Sequence, residues 1–278
     1  MQSSMTRSVH LSDTGAGQKT RAVVGDIVQA CRSYNLWMSL GYIDITHRYK
    51  RSYLGPFWIT INIGMMIVGI GFIYGNVLDT IRSTYIEYLA VGIITWNLIN
   101  AIILEGSLSY VVESSAIKNT VLSKHIYILR IVFRNMIILG HNMIILVPLY
   151  LISSHWPGIG ILWVVPGFAL LVLFLVPAAL FLAVVGARYR DVPPAVAGVM
   201  QLTFFATPII WEADALPAHR WIVDLNPFYH LIEVVRAPLL DGVLPLDSFA
   251  IVAGLAVIMS GLALAVYAQA RQSIVYWL

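Results

Sequence analysis

Cysteine and charged residues are scarce in this sequence. It has one cysteine, Cys31, in 278 residues, and Asp, Glu, Lys and Arg together make up only 11%, whereas about a quarter of a typical soluble domain is charged. A single cysteine excludes an internal disulfide and a metal cluster held by several cysteines. Because 59% of the residues are hydrophobic, the composition predicts a membrane protein with several spans.

Motifs typical of catalytic and nucleotide-binding sites are also missing. The sequence has no Gly-rich loop ending in Gly-Lys-Ser/Thr, no His-Glu-x-x-His and no Gly-x-Ser-x-Gly. Its seven histidines are scattered, and none pairs with another at the spacing of metal ligands. We therefore expect no enzymatic activity, no metal and no other cofactor on this chain. The net charge is +3, but the cations are placed next to the apolar runs, as at a membrane boundary. We therefore expect no nucleic-acid partner.

The first 55 residues precede the first long apolar run. Residues 1–23 lack the apolar core of a signal peptide and are rich in Ser, Thr and Gly, so we predict a disordered cytoplasmic tail. Residues 24–55 are predicted to form an interfacial helix followed by a loop. The apolar residues of this helix recur at spacings of three and four: Val24, Ile27, Cys31, Tyr34, Trp37, Leu40 and Ile43. The pattern fits an amphipathic helix in the membrane plane, or a helix packed on the protein's own body.

Residues 56–278 contain six apolar runs and predict an all-α domain with six transmembrane helices. About 20 apolar residues are needed to cross the hydrocarbon layer. The predicted spans are roughly 57–78, 86–112, 126–152, 160–185, 195–211 and 248–268. The fifth is the shortest.

Lys and Arg are distributed unequally between the two sides of these spans. Fourteen fall in residues 1–55, in the region 113–134, in the turn 186–194 and in the C-terminal tail, and three, Arg82, Arg220 and Arg236, fall on the opposite side. Because Lys and Arg are enriched in cytoplasmic loops, we predict that both termini are cytoplasmic.

Glu105 lies within the second span, where a charge is costly unless it is paired. If the connection after this span turns near Lys118, antiparallel packing places position 131 opposite Glu105, and Arg130 and Arg134 flank that position. We hypothesise an ion pair of Glu105 with Arg130 or Arg134 that holds spans two and three together. The alternative is that each side chain reaches the membrane surface separately.

Residues 212–247 form the longest connection and are predicted to lie outside. Asn226-Pro227 is a typical helix start, with Asn as the N-cap and Pro at the first helical position. The helix that follows is too short to span. Together with the short fifth span it predicts re-entrant helices between spans five and six. An amphipathic helix lying on the outer surface is the alternative.

Two polar connections are predicted on the cytoplasmic side. Residues 113–124 are compatible with a helix that has a small apolar stripe of Ile117, Val121 and Leu122, and such a segment fits a groove on a partner. The second connection, residues 186–194, carries Arg188, Arg190 and Asp191. Plain solvated loops are the alternative for both.

Aromatic side chains cluster where spans one and two approach the outer face. They are Tyr74, Tyr85, Tyr88 and Trp96. A sugar chain can slide along aromatic faces because stacking is non-directional, which makes these residues candidates for a channel lining. An interfacial belt of Tyr and Trp is the alternative.

Residues Arg48 to Trp58 read Arg-Tyr-Lys-Arg-Ser-Tyr-Leu-Gly-Pro-Phe-Trp and mark the boundary between the basic N-terminal segment and the first span. Two further segments follow in order, Gly186-Ala-Arg-Tyr-Arg-Asp-Val192 and Asn226-Pro-Phe-Tyr-His-Leu-Ile-Glu-Val-Val-Arg236. With these motifs the chain resembles the permease subunit of type-2 ABC exporters for polysaccharides, which include O-antigen, capsule and teichoic acid exporters. The resemblance extends from about residue 25 to residue 278.

This resemblance implies a channel-forming homodimer in the bacterial inner membrane. Two separate cytoplasmic ATPase subunits would bind ATP and magnesium, and the substrate would be a lipid-linked, O-antigen-like polysaccharide. A substrate-receiving loop would contain Arg48, Lys50, Arg51, Leu54 and Gly55. A helix that couples the chain to the ATPase would contain Glu113, Ser114, Ile117, Lys118, Val121 and Leu122. An outer re-entrant gate would contain Pro208, Trp211, Asn226, Pro227, Phe228 and Tyr229.

The three cations of the receiving loop suit a pyrophosphate headgroup, because cations attract phosphate. Ordinary anchoring at the cytoplasmic face is the alternative. Two other functions also stay open: a type-2 ABC exporter of a small molecule or lipid, and an ion-coupled secondary transporter. The latter favours ionisable groups near the membrane midplane, for which only Glu105 and His141 are candidates. A membrane-embedded glycosyltransferase would need a carboxylate-rich acceptor site on the cytoplasmic face, which the sequence lacks.

Overall fold

A computed structural model describes residues 16–48, 50, 52–55, 57–77, 82–153, 156–215 and 217–278. Within these ranges every regular element is a helix, which confirms the all-α prediction. The helices are α1 (Ala16–Arg32), α2 (Tyr34–Arg48), α3 (Phe57–Val77), α4 (Arg82–Val112), α5 (Ser114–Asn119), α6 (His125–Met143), α7 (Leu146–Ser153), α8 (Val164–Arg188), α9 (Val192–Ala206), α10 (Arg220–Asp224), α11 (Pro227–Leu240), α12 (Leu246–Ala270) and α13 (Ile274–Trp277).

Five segments of the described chain are long and apolar enough to cross a membrane. They are Phe57–Tyr74, Thr84–Val112, His125–Ser153, Gly158–Arg188 and Leu246–Ala270. These correspond to predicted spans one, two, three, four and six. The third consists of α6 and α7 in succession, and the fourth begins with a 3₁₀ turn before α8.

The predicted fifth span differs from the other five. Its helix, α9, has 15 residues, which at 1.5 Å per residue is about 22 Å and therefore less than the roughly 30 Å of hydrocarbon in a bilayer. Pro193 lies in its first turn, and the helix ends before Thr207, whose backbone is extended. The next residue is Pro208, and a residue that precedes proline avoids helical geometry. A sixth crossing stays a prediction.

The core of the molecule surrounds α4. In the apolar segment of this helix 72% of the residues are buried, against 11% in that of α3. Helices α3, α6, α7, α8, α9 and α11 all contact α4, and α12 packs on the far side of α8. A helix that is apolar on all sides is expected at the centre of such a bundle.

Helices α4 and α8 approach at backbone distance because glycines lie at their crossing. A Cβ atom on Gly106 would stand 2.7 Å from the Cβ of Ala179, and a Cβ on Gly186 would stand 2.2 Å from the carbonyl oxygen of Ser107. Small residues at helix crossings are typical of membrane bundles, where packing replaces the hydrophobic effect as the force between helices.

The N-terminal helix predicted over 24–47 is two helices. They are α1, which starts at Ala16, and α2, and they are separated at Ser33. Much of the predicted apolar face is exposed, including Val24 and Tyr34, whereas Val23, Asp26 and Ala30 are the buried residues of α1, which contacts α6 and α12. Gly41 brings α2 close to α6, since a Cβ there would lie 3.0 Å from the ring of Phe133. The helices thus pack on the protein's body and keep an exposed apolar face. Of the predicted tail, residues 1–15 lie outside the described chain.

In the predicted outer connection, α11 starts as the sequence indicates. The side chain of Asn226 caps it by accepting a hydrogen bond from the backbone N–H of Phe228, 2.9 Å away, and Pro227 is its first residue. Most of α11 is buried against α4, α8 and α12. It therefore lies within the protein's core.

Candidate functional site

The predicted substrate-receiving loop leads directly into α3. Gly55 has a positive φ of 53°, which favours glycine, and its N–H donates to Ser52 Oγ over 3.2 Å. The backbone N–H of Phe57 then donates to the carbonyl of Leu54, which starts the helix. Lys50 and the Leu54 side chain are exposed. Arg51 and the side chain of Arg48 lie outside the described part of the structure, so a joint role of the three cations stays a prediction.

A group of five charged side chains joins α2, α4 and α6, and we call it the inner charge cluster: Asp44, Glu105, Glu113, Arg130 and Arg134. Arg134 forms an ion pair of 2.6 Å with Glu105, as one of the two hypothesised pairings predicted. Asn135 donates to the same Glu105 oxygen over 2.6 Å. Spans two and three are therefore held together by a charged contact within the membrane segments.

Asp44 is the centre of this cluster, and the sequence did not predict its role. Its carboxylate accepts two hydrogen bonds from Arg130, of 2.6 and 2.8 Å, and one of 2.8 Å from Arg134. Burial opposes its ionisation, but the bonds from Arg130 and the charge of both arginines outweigh burial, so the pKa of Asp44 is lowered. In the sequence, the signal for this role was the single carboxylate of Asp44 among the Lys and Arg residues at positions 32–51.

The segment predicted to couple the chain to an ATPase contains the short helix α5. Arg130 pairs with Glu113, the residue before α5, over 3.0 Å. Ile117 is buried and fixes α5 to the bundle, while Ser114 is half-buried and Lys118 is exposed. The helix ends at Asn119, earlier than the predicted stripe requires, so Val121 and Leu122 lie beyond it. Val121 is fully exposed, at 100%.

The second connection lies near the C-terminus of the chain. The Arg188 guanidinium lies over the ring of Trp277, 4.9 Å from its centroid, and Arg188 Nε donates to the hydroxyl of Tyr189 over 3.0 Å. Arg190 is exposed. Asp191 occupies the N-cap position of α9, although its side chain makes no capping hydrogen bond. This connection is thus a tight turn between α8 and α9.

Two of the four predicted channel aromatics hold the turn that follows α9, and a third packs on α9 and α11. Tyr85 donates to the carbonyl of Ile210 over 2.6 Å, and the Tyr88 hydroxyl shares its hydrogen between the carbonyls of Pro208 and Trp211, at 3.1 and 3.3 Å. Trp96 is buried between the rings of Phe204 and Phe228, on α9 and α11, with 5.7 Å between centroids in each pair. Tyr74 is exposed on α3. Contact with a sugar chain stays a prediction.

The residues predicted for the outer gate are brought together with this turn. Asn226 caps α11 and also donates to Thr207 Oγ1 over 3.0 Å, so one side chain joins the end of α9 to the start of α11. The indole of Trp211 donates back to the carbonyl of Phe205. Tyr229 lies edge-on to His230, which is anchored to Asp224 and Ser248. Helices α9 and α11 therefore form one hydrogen-bonded unit, which we call the α9–α11 unit.

Arg236 of α11 was predicted only as a cation of the outer side, yet it is among the most buried residues. Its guanidinium lies over the Tyr88 ring, 3.9 Å from the centroid. Among the described residues its three nitrogens make no hydrogen bond, and the nearest carboxylate oxygen, of Glu233, is 3.9 Å away. Gly92 makes room for it, since a Cβ there would lie 2.5 Å from Nη2. In the sequence, Arg236 stood out only as the last residue of the 226–236 motif and as an outer cation.

A second charged contact ties α1 to the end of α12. Asp26 accepts hydrogen bonds from Arg271 Nε at 2.6 Å, Arg271 Nη2 at 2.8 Å and Tyr267 Oη at 2.8 Å. Burial works against the charged carboxylate, but these donors prevail, and the pKa of Asp26 is lowered. From the sequence no partner was assigned to Asp26, and this contact was missed.

The part of the chain that the structure describes contains no group of three or more His, Cys, Asp or Glu side chains placed to hold a metal ion. The chemistry of the clusters is that of structural charge pairing, with every carboxylate of the inner charge cluster bonded to arginine. This arrangement positions helices relative to one another.

Known proteins that are similar to the chain show which family it belongs to. Residues 36–240 match the family model described as ABC-2 type transporter. Two proteins from Klebsiella pneumoniae, each named O-antigen export system permease protein RfbA, are similar to the chain. One is 23% identical over 230 residues, covering 81% of this chain and 87% of the relative. The other is 24% identical over 229 residues, covering 80% and 87%. Since the family model spans well over half of the sequence, this multi-pass membrane protein belongs to the ABC-2 type transporter family.

Proposed function

We propose that this chain is the channel-forming permease subunit of an ATP-driven exporter that moves a lipid-linked, O-antigen-like polysaccharide across the bacterial inner membrane. Membership in the ABC-2 type transporter family supports the transport role. The polysaccharide is supported by the two relatives named as O-antigen export permeases and by the motifs at residues 48–58, 186–192 and 226–236.

The observation that carries this proposal is the position of α5. It projects from the joined ends of two spans, is fixed there by Ile117 and by the Glu113–Arg130 ion pair, and is followed by the fully exposed Val121. A rigid helix next to exposed apolar side chains is suited to a groove on another protein. We assign this surface to a cytoplasmic ATPase, which would bind ATP and magnesium and hydrolyse ATP, while this chain performs no chemistry.

In this proposal the chain crosses the membrane six times, with both termini in the cytoplasm. The excess of Lys and Arg on one side supports that orientation. Helices α1 and α2 lie at the inner membrane surface with their exposed apolar side toward lipid. The short α9 and the buried α11 form the re-entrant pair on the outer side, because irregular backbone within a membrane must be buried in protein.

The substrate is received near the loop that precedes α3. The exposed Lys50 and Leu54 and the turn at Gly55 support this role. In sequence Arg48 and Arg51 are next to Lys50, and the three cations would suit a pyrophosphate headgroup. The α9–α11 unit closes the exit on the other side. An exporter of a small molecule or lipid would have the same architecture but no need for this basic loop.

A homodimer completes the channel. Helix α3 supports this arrangement because it is the least buried span and carries exposed Met65, Val68 and Ile73. Helix α9, which like α3 contacts α4, carries the exposed side chains of Val199 and Leu202. These two apolar surfaces are available to a second copy of the chain.

Deletion of the gene in its native host tests the function. Lipid-linked glycans would be extracted, and their side of the inner membrane would be determined by their accessibility to a glycosidase in intact spheroplasts. We expect long glycan trapped inside and none at the cell surface, with its sugars identifying the substrate. Surface glycan at the wild-type level would contradict polysaccharide export and favour a small molecule or lipid.

A matched pair of variants, each expressed in the deletion strain, separates the role of the receiving loop from that of α5. Lys50→Glu reverses a charge in the receiving loop, and Lys118→Glu makes the same change on α5. We expect Lys50→Glu to lower glycan export while the isolated complex retains its basal ATPase activity. We expect Lys118→Glu to lower ATPase stimulation and export together. If both variants export as the wild type does, neither surface has the proposed role.

A further inference from the structure

An apolar groove opens on the membrane-facing surface between α1, α6, α8 and α12. Its volume is about 270 Å³, and its walls are almost entirely carbon, with Ile27 and Cys31 from α1 facing Ile128, Val176 and Leu264 from the three spans. Pro177, inside α8, forms part of the wall and interrupts the backbone hydrogen bonding of that helix. The groove therefore lies between α1 and three of the candidate membrane spans.

His125, the first residue of α6, lines the groove, and Lys124 is the residue before it in the chain. The Lys124 ammonium donates one hydrogen bond, of 3.3 Å, to the carbonyl of Arg271. It makes no ion pair with any of the described carboxylates. The carboxylate of Asp26 is already bonded to Arg271 and Tyr267. An ammonium with three donors thus has unused donors one residue away from the wall of an apolar groove.

The charges around Lys124 favour an anion. Lys124 and Arg271 are two cations, and Asp26 balances one of them. Burial lowers the pKa of the Lys124 ammonium, with the charge of Asp26 opposing that effect, so a further negative group beside Lys124 would relieve the cost of its desolvation. The combination of a carbon-lined groove and a cation one residue from its wall matches an acyl chain joined to a phosphate.

We propose that this groove is a binding site for an anionic glycerophospholipid of the surrounding leaflet, with one acyl chain between α1 and the three spans and its phosphate at Lys124. The site rests on the membrane placement of α1 given under the proposed function, but it does not depend on which substrate is exported. The lipid would seal the gap under α1. It would also neutralise the excess cation, as basic groups at a membrane surface do with anionic headgroups.

The site can be tested by photocrosslinking in nanodiscs. The full-length chain would be reconstituted with phosphatidylglycerol that carries a diazirine in one acyl chain, and labelled peptides would be mapped by mass spectrometry. We expect labelling in the segments around residues 27–31, 176–180 and 260–264. Excess unlabelled phosphatidylglycerol should compete better than phosphatidylcholine, because the choline charge offsets that of the phosphate.

Two matched pairs of variants make the test specific. Lys124→Gln should lower labelling of these segments about tenfold, the expected loss of one charge-assisted hydrogen bond, whereas Lys118→Gln removes the same charge from α5 and should leave labelling unchanged. Cys31→Trp fills the groove and should abolish labelling there. Val28→Trp adds the same ring to an exposed position of α1 outside the groove and should not.

Three results would overturn the proposal. One is labelling spread evenly over all exposed span residues, which would mean bulk lipid only. Another is labelling of the groove that is unaffected by Lys124→Gln. The third is an absence of labelling from these segments in the wild-type chain, which would mean that no lipid occupies the groove. Since the readout is lipid labelling, a failure of glycan export in cells with labelling intact would bear on the proposed function alone.

Discussion

The guanidinium of Arg236 lies over the ring of Tyr88, 3.9 Å from its centroid, in the interior of the bundle. Tyr88 is on α4, and its hydroxyl also donates to the turn after α9, so one tyrosine contacts both halves of the α9–α11 unit. The ring replaces the hydrogen bonds that a buried arginine otherwise needs, because the aromatic face is electron-rich.

Replacement of Arg236 by methionine should leave the stability of the protomer unchanged or raise it. The guanidinium makes no hydrogen bond within the described chain and only a 3.9 Å ion pair with Glu233, and apolar residues can replace buried charges without loss. Tyr88→Leu should instead cost about 2–4 kcal/mol, since it strands the cation and removes the hydroxyl. Thermal unfolding in detergent measures both, and a larger loss for Arg236→Met than for Tyr88→Leu would contradict this account.

The ion pair of Glu105 and Arg134 should behave as a coupled unit. Each single change, Glu105→Gln or Arg134→Gln, should cost about 2 kcal/mol because it breaks a half-buried ion pair, and the double change should cost less than the sum. The matched pair is Glu105→Gln with Arg130→Gln, because Arg130 bonds Asp44 and Glu113 instead. Its coupling should be smaller, because Glu105 and Arg130 are linked only indirectly, through Arg134 and Asp44. Equal coupling in both cycles would refute a specific Glu105–Arg134 contact.

A methyl group at the crossing of α4 and α8 should be poorly tolerated. In Gly106→Ala the new Cβ would be 2.7 Å from that of Ala179, so the helices must separate, at a cost of about 1–3 kcal/mol. Gly261→Ala is the control, because a Cβ there meets nothing within 4 Å. Size-exclusion chromatography after heating should show aggregation of the first variant at a lower temperature than the second. Equal behaviour would mean that the crossing is looser than these distances require.

A charge at Val121 should uncouple the chain from the proposed ATPase. Val121→Asp alters a fully exposed side chain beyond α5, so folding and membrane insertion should be unaffected. Binding of the ATPase in a pull-down should weaken at least tenfold, because a desolvated carboxylate in an apolar groove is costly. Val243→Asp, between α11 and α12, is an equally simple surface change on the opposite side. Wild-type binding by the first variant would remove this surface from the interface.

Acid should lower the stability of the protomer by protonating Asp26 and Asp44. The pKa of each is lowered from its ordinary value of 3.8, so the folded chain binds fewer protons than the unfolded chain. Their stabilisation is complete above that value and is lost as the pH falls through the lower folded values. The apparent melting temperature in detergent should therefore be nearly level from pH 7 to about pH 5 and fall below about pH 4. The fall should be shallower in Asp44→Asn than in Asp247→Asn, which removes an exposed carboxyl.

The span pattern and the Glu105 contact were predictable because both depend on local regularities. Apolar runs of about 20 residues locate spans directly, and the antiparallel geometry of two consecutive helices sets which residues are opposite. The cap at Asn226 was predictable for the same reason, since capping involves neighbours in sequence. These predictions needed no knowledge of how distant segments meet.

The roles of Asp44, Asp26 and Arg236 were not predictable, because each depends on contact between segments far apart in the chain. Asp26 bonds Arg271, 245 residues away, and Asp44 bonds Arg130, 86 residues away. The hydrophobic periodicity also did not identify the buried side of α1 and α2, because tertiary contacts decide which side is buried. The predicted apolar face of α1 and α2 is largely exposed, and the side facing the bundle carries the charged residue that α12 binds.

The position of Asp44 between Arg130 and Arg134 has a mechanical consequence. Arg130 holds Asp44 with one part of its guanidinium and Glu113, at the base of α5, with another. One planar guanidinium group therefore joins the base of α5 to α2 by ion pairs. If α5 binds the ATPase as we propose, a displacement of α5 would move Asp44, and with it the helix that precedes the proposed receiving loop.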